Sequence, residues 1–333
     1  LKQEMESAEK YKKTEGAYKE CSVHYEKIIA QMKNSFVSEY DDTIKIIADK
    51  IGDDVEKVDD KEALKNATSE FTTFKDTLKN DFENYNTVEQ DRFDKYNSTI
   101  DDYVIKYNDR VTAIEKAEEE ARKKAEEEAK KKAERRAALL EINKLAAGYF
   151  YYQLRRESGR QAHEYLTGRG LSEETIRKFG LGYSDKYSDD LYKYLKSKNY
   201  SDELLRDSGL FNVDERRGMY DKFWNRVIFP IMDVNNRVIG FGGRVMGDGK
   251  PKYLNSPETT IFDKSRNLYG LNVARTTRKN YLILCEGYMD VISMHQAGFT
   301  NAVASLGTAL TSGHASLLKR YTQEVLLLYD SDD

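Results

Sequence analysis

Four carboxylates near the end of the chain have the spacing of a divalent-cation site. The apolar run Leu282-Ile283-Leu284-Cys285 stops at Glu286, and Asp290 follows one helical turn later, on the face that looks back at it. A second run, Leu326-Leu327-Leu328-Tyr329, stops at Asp330, with Asp332 two positions on. A buried strand that ends at an acid delivers it to the C-terminal edge of an open α/β sheet, where such sheets bind their ligands. Two such strands side by side would gather Glu286, Asp290, Asp330 and Asp332 into an oxygen-rich pocket suited to a hard divalent cation such as Mg²⁺. The rival reading has Glu286 merely capping the helix that follows.

The elements needed to position these acids are legible around them. Hydrophobic spacing predicts strand 281–286, helix 288–297, strand 301–306, helix 312–320 and strand 325–329, a βαβαβ unit with a parallel sheet. Upstream, Arg226-Val227-Ile228-Phe229-Pro230-Ile231 and Arg237-Val238-Ile239-Gly240-Phe241-Gly242-Gly243-Arg244 flank Asp233-Val234-Asn235-Asn236 as a hairpin. Gly242 and Gly243 would permit close backbone approach. Helical spacing covers Leu139, Ile142, Leu145, Ala146, Tyr149 and Tyr152. Gly170 closes a later helix, and Ser172 with Glu174 and Thr175 opens the next. His295 and His314 have no partner in sequence that would make them catalytic, and read as surface or helix-packing residues.

Charge is segregated along the 333 residues, whose net charge is -4. From Lys222 to Lys279 there are eleven Lys/Arg (222, 226, 237, 244, 250, 252, 264, 266, 275, 278, 279) against four acids (233, 248, 258, 263). A locally basic stretch in an acidic chain fits a polyanion-binding face, although a basic surface without a partner is the plainer reading. The only cysteines, Cys21 and Cys285, offer neither a disulfide framework nor a zinc pair, and His24 beside Cys21 supplies too few ligands. No apolar run approaches the length of a membrane span and no signal peptide is visible, so a cytoplasmic location without membrane contact is expected.

Residues 1–114 carry apolar side chains at intervals of three and four: Tyr25, Ile28, Ile29, Met32; Val37, Tyr40, Ile44, Ile47, Ile51; Phe71, Phe74, Leu78, Phe82, Tyr85; and Phe93, Tyr96, Ile100, Tyr103, Tyr107. Gly52-Asp53-Asp54 is a break between helices. This predicts an antiparallel helical hairpin or bundle, or a coiled coil, with no chemical motif. Residues 115–136 alternate Glu, Ala and Lys/Arg blocks with acid-first i, i+4 pairs such as Glu119/Lys123, the pattern of a solvated helical linker rather than a basic nucleic-acid tail.

From about Leu140 onward the chain resembles the catalytic core of bacterial DnaG-type DNA primases. The resemblance rests on an ordered series: Arg169-Gly170-Leu171-Ser172, the two hairpin strands, Pro251-Lys252-Tyr253-Leu254-Asn255-Ser256-Pro257-Glu258-Thr259, Phe262-Asp263-Lys264, Leu268-Tyr269-Gly270 and Glu286-Gly287-Tyr288-Met289-Asp290-Val291. It implies a nucleotidyltransferase that copies single-stranded DNA into short RNA primers from ribonucleoside triphosphates, with Glu286, Asp290, Asp330 and Asp332 as catalytic metal ligands in a Toprim domain. It also implies Arg169, Arg226, Arg244, Lys252, Tyr253, Asn255 and Lys264 as contacts to template or nucleotide, with Tyr253 stacking on a base and Lys252 meeting phosphate. Arg169 and Arg226 are equally readable as members of structural ion pairs.

The resulting fold class is α+β / α/β: long N-terminal helices over 1–114, a charged linker over 115–136, the N-terminal subdomain of a primase-type core over 137–270, and a truncated parallel-sheet Toprim domain over 271–333. The family's zinc ribbon has no counterpart among the cysteines here, so no zinc site is expected. A start on Leu and a last strand without a covering helix predict a fragment. The replicative helicase is an expected partner of the family, and its binding domain is not found in the sequence. Two other functions remain open: a Toprim enzyme of topoisomerase or nuclease type, and a non-catalytic coiled-coil adaptor that binds DNA through its basic face.

Overall fold

The computed structural model describes residues 2–10, 15–307 and 310–329. The chain divides into two compact units, residues 1–127 and 128–333.

The first unit is helical: α1 (Lys2–Lys10), α2 (Glu15–Asp49), α3 (Lys61–Tyr85) and the first part of α4 (Gln90–Gln153), a helix that continues through the unit boundary. Side-chain pairings fix the directions of α2, α3 and α4. Lys50 meets Glu70 and Tyr40 meets Asp81, so α2 and α3 run antiparallel. Lys65–Glu115 and Lys75–Asp101 make α3 and α4 antiparallel, whereas Lys33–Glu89 and Tyr96–Asp41 make α2 and α4 parallel. The result is an up-down-up three-helix bundle closed over Tyr40, Ile47, Leu64, Phe71, Leu78, Ile100 and Tyr107. Gly52, at φ 85°, ends the turn after α2, and Asp60 caps α3 by accepting the Ala63 N–H at 2.9 Å. Met32 and Tyr85 fit the apolar period yet are 53% and 71% exposed. At the level of Met32, whose neighbour Lys33 pairs with Glu89, α3 has already ended at Tyr85. The solvated stretch starts later than its composition suggests, because Glu115 and Glu118 reach Lys65 and Lys61 of α3. Residues 120–134 are exposed on all sides, with Arg122 between Glu119 and Glu126.

The second unit begins on the last turns of α4, where Leu139, Ile142, Ala146 and Phe150 are buried. Then come α5 (Arg160–Gly168), α6 (Glu173–Lys178), β1 (Gly182–Ser184), α7 (Asp190–Lys196), α8 (Asp202–Asp207), β2 (Phe211–Asp214) and β3 (Gly218–Asp221). Ser172 caps α6 by accepting the Thr175 N–H, and Gly170 takes the left-handed φ of 83° after α5, as the residue pattern predicts. The hairpin follows as β4 (Arg226–Met232) and β5 (Val238–Val245), then β6 (Tyr253–Asn255) and α9 (Leu271–Ala274). The four strands order β1-β4-β5-β6, all antiparallel, and β2-β3 form a separate ribbon.

That sheet is packed on both faces, which explains why β4 is buried over six successive residues. Val227, Phe229 and Ile231 enter one core with Tyr288 and Val291; Ile228 and Phe241 enter another with Ile142, Phe150 and Phe223. The tail forms β7 (Tyr281–Cys285), α10 (Tyr288–Gln296), β8 (Ala302–Ala304), α11 (Ser312–Leu318) and β9 (Glu324–Leu328). Its sheet is parallel with order β8-β7-β9, as the βαβαβ pattern predicts. Leu326, Leu327 and Leu328 are 45–64% exposed, in contrast to the buried β7 and β8.

Candidate nucleotidyl-transfer site

β7 ends with its apolar run at Cys285, one residue short of the expected 281–286, so Glu286 lies in the turn between β7 and α10, exposed at the C-terminal edge of the parallel sheet. Asp290 stands in the first turn of α10 and accepts the Gly287 N–H at 2.9 Å. Asp290, not Glu286, therefore caps α10, and its other oxygen has no described partner. The Cys285 thiol directly beneath is pushed up to about 11 by burial and then by the charge of Asp290. Cys285 is thus an inert, protonated floor for the turn.

β9 runs parallel to β7 in the register Cys285↔Leu328, so both strands point their C-terminal ends at the same edge. Asp330 and Asp332 lie outside the described residues. Among the described residues no three or more His, Cys, Asp or Glu side chains form a metal-binding group. Two exposed carboxylates at one turn still suit Mg²⁺, which is often held by one or two carboxylates with water and substrate phosphates completing its shell.

Tyr288 links this edge to the hairpin sheet. Its ring stacks on Phe229 at 5.2 Å, and its hydroxyl donates to Asn255 Oδ1 at 2.6 Å. Burial holds that phenol far above its ordinary range. Asn255 Nδ2 donates in turn to the Leu306 carbonyl at 3.0 Å, in the loop after β8. The amide expected to contact nucleotide is therefore committed to joining the two sheets.

The glycines of β5 have a similar explanation. A Cβ on Gly242 would lie 2.5 Å from the Tyr288 ring, and one on Gly243 would lie 2.8 Å from Phe223. What approaches them closely is aromatic side chains of the protein itself, where the sequence suggested backbone.

The two hairpin arginines separate by face. Arg226 is buried, donating from one terminal nitrogen to the Pro251 carbonyl at 2.9 Å and the Gly243 carbonyl at 3.3 Å, and burial lowers its pKa. It braces the loop 247–251 and forms no ion pair among the described residues. Arg244 shares its face of β5 with Gly242, and its guanidinium lies 4.1 Å over the Tyr165 ring. Tyr253 pairs across from Arg244, and its phenol is raised by burial and by Tyr165, an effect that Arg244 and Arg169 oppose. Arg169, the C-cap of α5, thus belongs to the same cluster. Lys252 is exposed and, with Arg244 and the 247–251 loop, lines an open pocket of about 780 Å³. Arg169, Arg244 and Lys252 have no carboxylate partner among the described residues.

Lys264 sits apart from this strip in the short turn Lys264–Arg266, where its carbonyl contacts His314 Nε2 at 2.7 Å. Both histidines are buried, His295 through Nε2 on the Ala302 carbonyl at 2.8 Å. They are helix-packing residues, and the surface alternative falls. Composition did not single out Lys222, a half-buried amine whose pKa is lowered by burial and then by Lys264. Nor did it single out Tyr165 or Tyr288, since aromatics at helical spacing read as ordinary core.

Comparison with known proteins identifies the family. Residues 149–275 match the family model described as the DNA primase catalytic core, N-terminal domain, and residues 280–333 match the Toprim domain. The RNA polymerase domain of Mycobacterium tuberculosis primase DnaG is 33% identical, with a TM-score of 0.56, over 59% of this chain and 67% of that one. The chain belongs to the DnaG primase family. A DnaG primase catalytic domain solved bound to single-stranded DNA is 42% identical, with a TM-score of 0.57, over 60% of this chain and 65% of that one. The DNA primases of Clostridium acetobutylicum and Deinococcus radiodurans are each 50% identical over 58% of this chain. The chain spans about a third of the length of these two primases, 32% and 34%. The primase family models begin at residue 149, so the helical bundle lies outside them.

Proposed function

We propose that this chain carries the nucleotidyl-transfer centre of a DNA-directed RNA polymerase that makes short RNA primers on single-stranded DNA. The observation behind this reading is the junction at Tyr288. It ties the turn bearing Glu286 and Asp290 to Asn255 of β6, only two residues from Tyr253 and its neighbour Arg244. Acids for a cation and bases for a polyanion are thereby joined through one side chain.

The reaction joins a 3′-hydroxyl to the α-phosphate of a ribonucleoside triphosphate as pyrophosphate leaves. Glu286 and Asp290 would hold Mg²⁺ or Mn²⁺, with Asp330 and Asp332 completing the set. Such cations activate the attacking oxygen and stabilise charge on the leaving one. Asp290 is held for this role by the Gly287 N–H, which fixes one oxygen and leaves the other to face a ligand. Arg244, Arg169 and Lys252 would meet template or nucleotide phosphates, while Tyr253 offers a face for a base. Arg226 and Asn255 act indirectly by bracing the loop and the sheet junction. Lys264, with Lys222, adds positive potential from the neighbouring turn. Residues 137–270 serve as the nucleic-acid platform and 271–333 as the Toprim domain, with 1–114 as a helical arm and 115–136 as its charged linker.

The test is incorporation of labelled ribonucleotides on a single-stranded template by the full-length gene product with Mg²⁺ or Mn²⁺. Template-dependent RNA that disappears in Glu286→Gln is the expected result. Undiminished synthesis in both Glu286→Gln and Asp290→Asn would exclude the metal role.

A further inference from the structure

The turn Lys264–Arg266 meets α11, and a cleft lies beside the contact. The two segments are clamped together. The Thr311 hydroxyl donates to the Ser265 carbonyl at 2.8 Å, and His314 Nε2 contacts the Lys264 carbonyl at 2.7 Å. Gly313 permits the approach, because a Cβ there would lie 2.5 Å from the Ser265 carbonyl oxygen. Beside this clamp lies a cleft of about 510 Å³ whose lining includes Ser265, Arg266, Thr311, Ser312, Ser316 and Arg320. Among the described residues no carboxylate lines it. Arg320 has no described acidic partner, and Arg266 meets Asp263 only through Nε at 3.6 Å. Two guanidinium groups and several hydroxyls on a braced wall form a donor-rich surface whose missing complement is an anion with several acceptor oxygens. A lone carboxylate would leave most of these donors unused.

The location narrows the choice. α11 follows the loop that leaves the C-terminal end of β8, a strand parallel to β7, whose C-terminal end leads to Glu286 and Asp290. The pocket beside Arg244 and Lys252 shares no lining residue with this cleft.

We infer that this cleft binds a triphosphate, either of a free nucleoside triphosphate or of the 5′ end of a newly begun RNA, with Arg320 and Arg266 as its principal contacts. The choice of a triphosphate rests on the nucleotidyl-transfer reading; the anion site itself does not. Guanidinium groups grip phosphate oxygens in pairs.

The experiment is a titration of the full chain with inorganic tripolyphosphate in metal-free buffer, followed by amide NMR and calorimetry. Chelation removes any contribution from a cation at Glu286 and Asp290, so failure of the metal reading cannot mimic failure of this one. Shifts at the Ser265, Ser312 and Gly313 amides, and weakening of about tenfold in Arg320→Gln and again in Arg266→Gln, are expected. Parallel titrations with GTP and with a 5′-triphosphorylated dinucleotide assign the source, since the true ligand binds more tightly than tripolyphosphate. Unchanged binding in both variants, or shifts confined to residues 247–252, would overturn the assignment. Both arginines are surface groups, and unchanged amide spectra of the unliganded variants serve as the check that the clamp has survived.

Discussion

Charge that pairs across the bundle's helices is arranged differently from charge near the second unit's sheet junction, although that unit has ion pairs of its own, such as Lys193–Asp189 and Arg237–Asp233. In the bundle, long side chains end on partners of opposite sign: Lys33 on Glu89, Lys50 on Glu70, Lys65 on Glu115, Lys75 on Asp101. In the second unit, Arg169, Arg244, Lys252 and Arg320 have no carboxylate partner, and Glu286 no basic one, among the described residues. Mated surface charge contributes little to stability and nothing to recognition. Unmated charge of both signs, arranged around one sheet junction, is what a metal-dependent enzyme acting on polyanions needs.

Breaking the unmated acids should have the largest effect. Glu286→Gln or Asp290→Asn is expected to lower template-directed RNA synthesis by roughly a hundredfold or more, since cation stabilisation of the transition state is worth several kcal/mol. Circular dichroism should show the fold unchanged for Glu286→Gln, whose carboxylate makes no described contact. Gly242→Ala attacks the junction itself. A Cβ 2.5 Å from the Tyr288 ring should cost about 3 kcal/mol by urea unfolding, whereas Gly247→Ala meets nothing within 4 Å and is strained only by its φ of 74°.

The two hairpin arginines sharpen the contrast between structural and binding charge. Lys252→Ala and Arg244→Ala should each reduce the slope of log affinity against log salt for single-stranded DNA by about 0.7, one phosphate contact apiece. Arg226→Ala should instead loosen the 247–251 loop, detected as faster amide exchange there.

Asp221 provides a smaller test, of pH dependence. It is buried and accepts the Leu191 and Tyr192 N–H groups, yet burial raises its pKa to about 7. A carboxyl whose folded pKa is raised binds its proton more tightly in the folded state. Its contribution to stability is therefore present below the ordinary carboxylate range and is lost as pH rises towards 7. A carbon-13 titration of that carboxyl should show a midpoint near 7; a midpoint near the ordinary 3.8 would remove the effect. Smallest of all, Lys75→Ala should leave the bundle's thermal midpoint essentially unchanged, because its pair with Asp101 is surface-exposed.

How far the sequence could be read depended on how local the determining contacts are. The hairpin and the parallel unit were legible because apolar runs and turn residues lie within each element, down to Asp233 accepting the Asn235 N–H. The third helix of the bundle, although written in the period of Phe93 to Tyr107, needed only the short break at Asn86 to be separated from α3. The short strands β1, β2 and β3, of three or four residues, carry too little pattern to stand out. Arg226, Asn255, Gly242 and Gly243 carry the right chemistry for ligand contact, but their surroundings come from residues remote in sequence. Only the packing of Tyr288, Phe223 and Pro251 shows that they are already occupied. Glu286, by contrast, was readable because the end of a strand is a local event.

The most direct test of the central claim is Mn²⁺ titration followed by paramagnetic broadening of backbone amides. The account predicts broadening centred on Glu286 to Asp290 and at the end of β9, abolished in Glu286→Gln. Broadening centred elsewhere in the second unit, or an unaltered Mn²⁺ affinity in that variant, would contradict it.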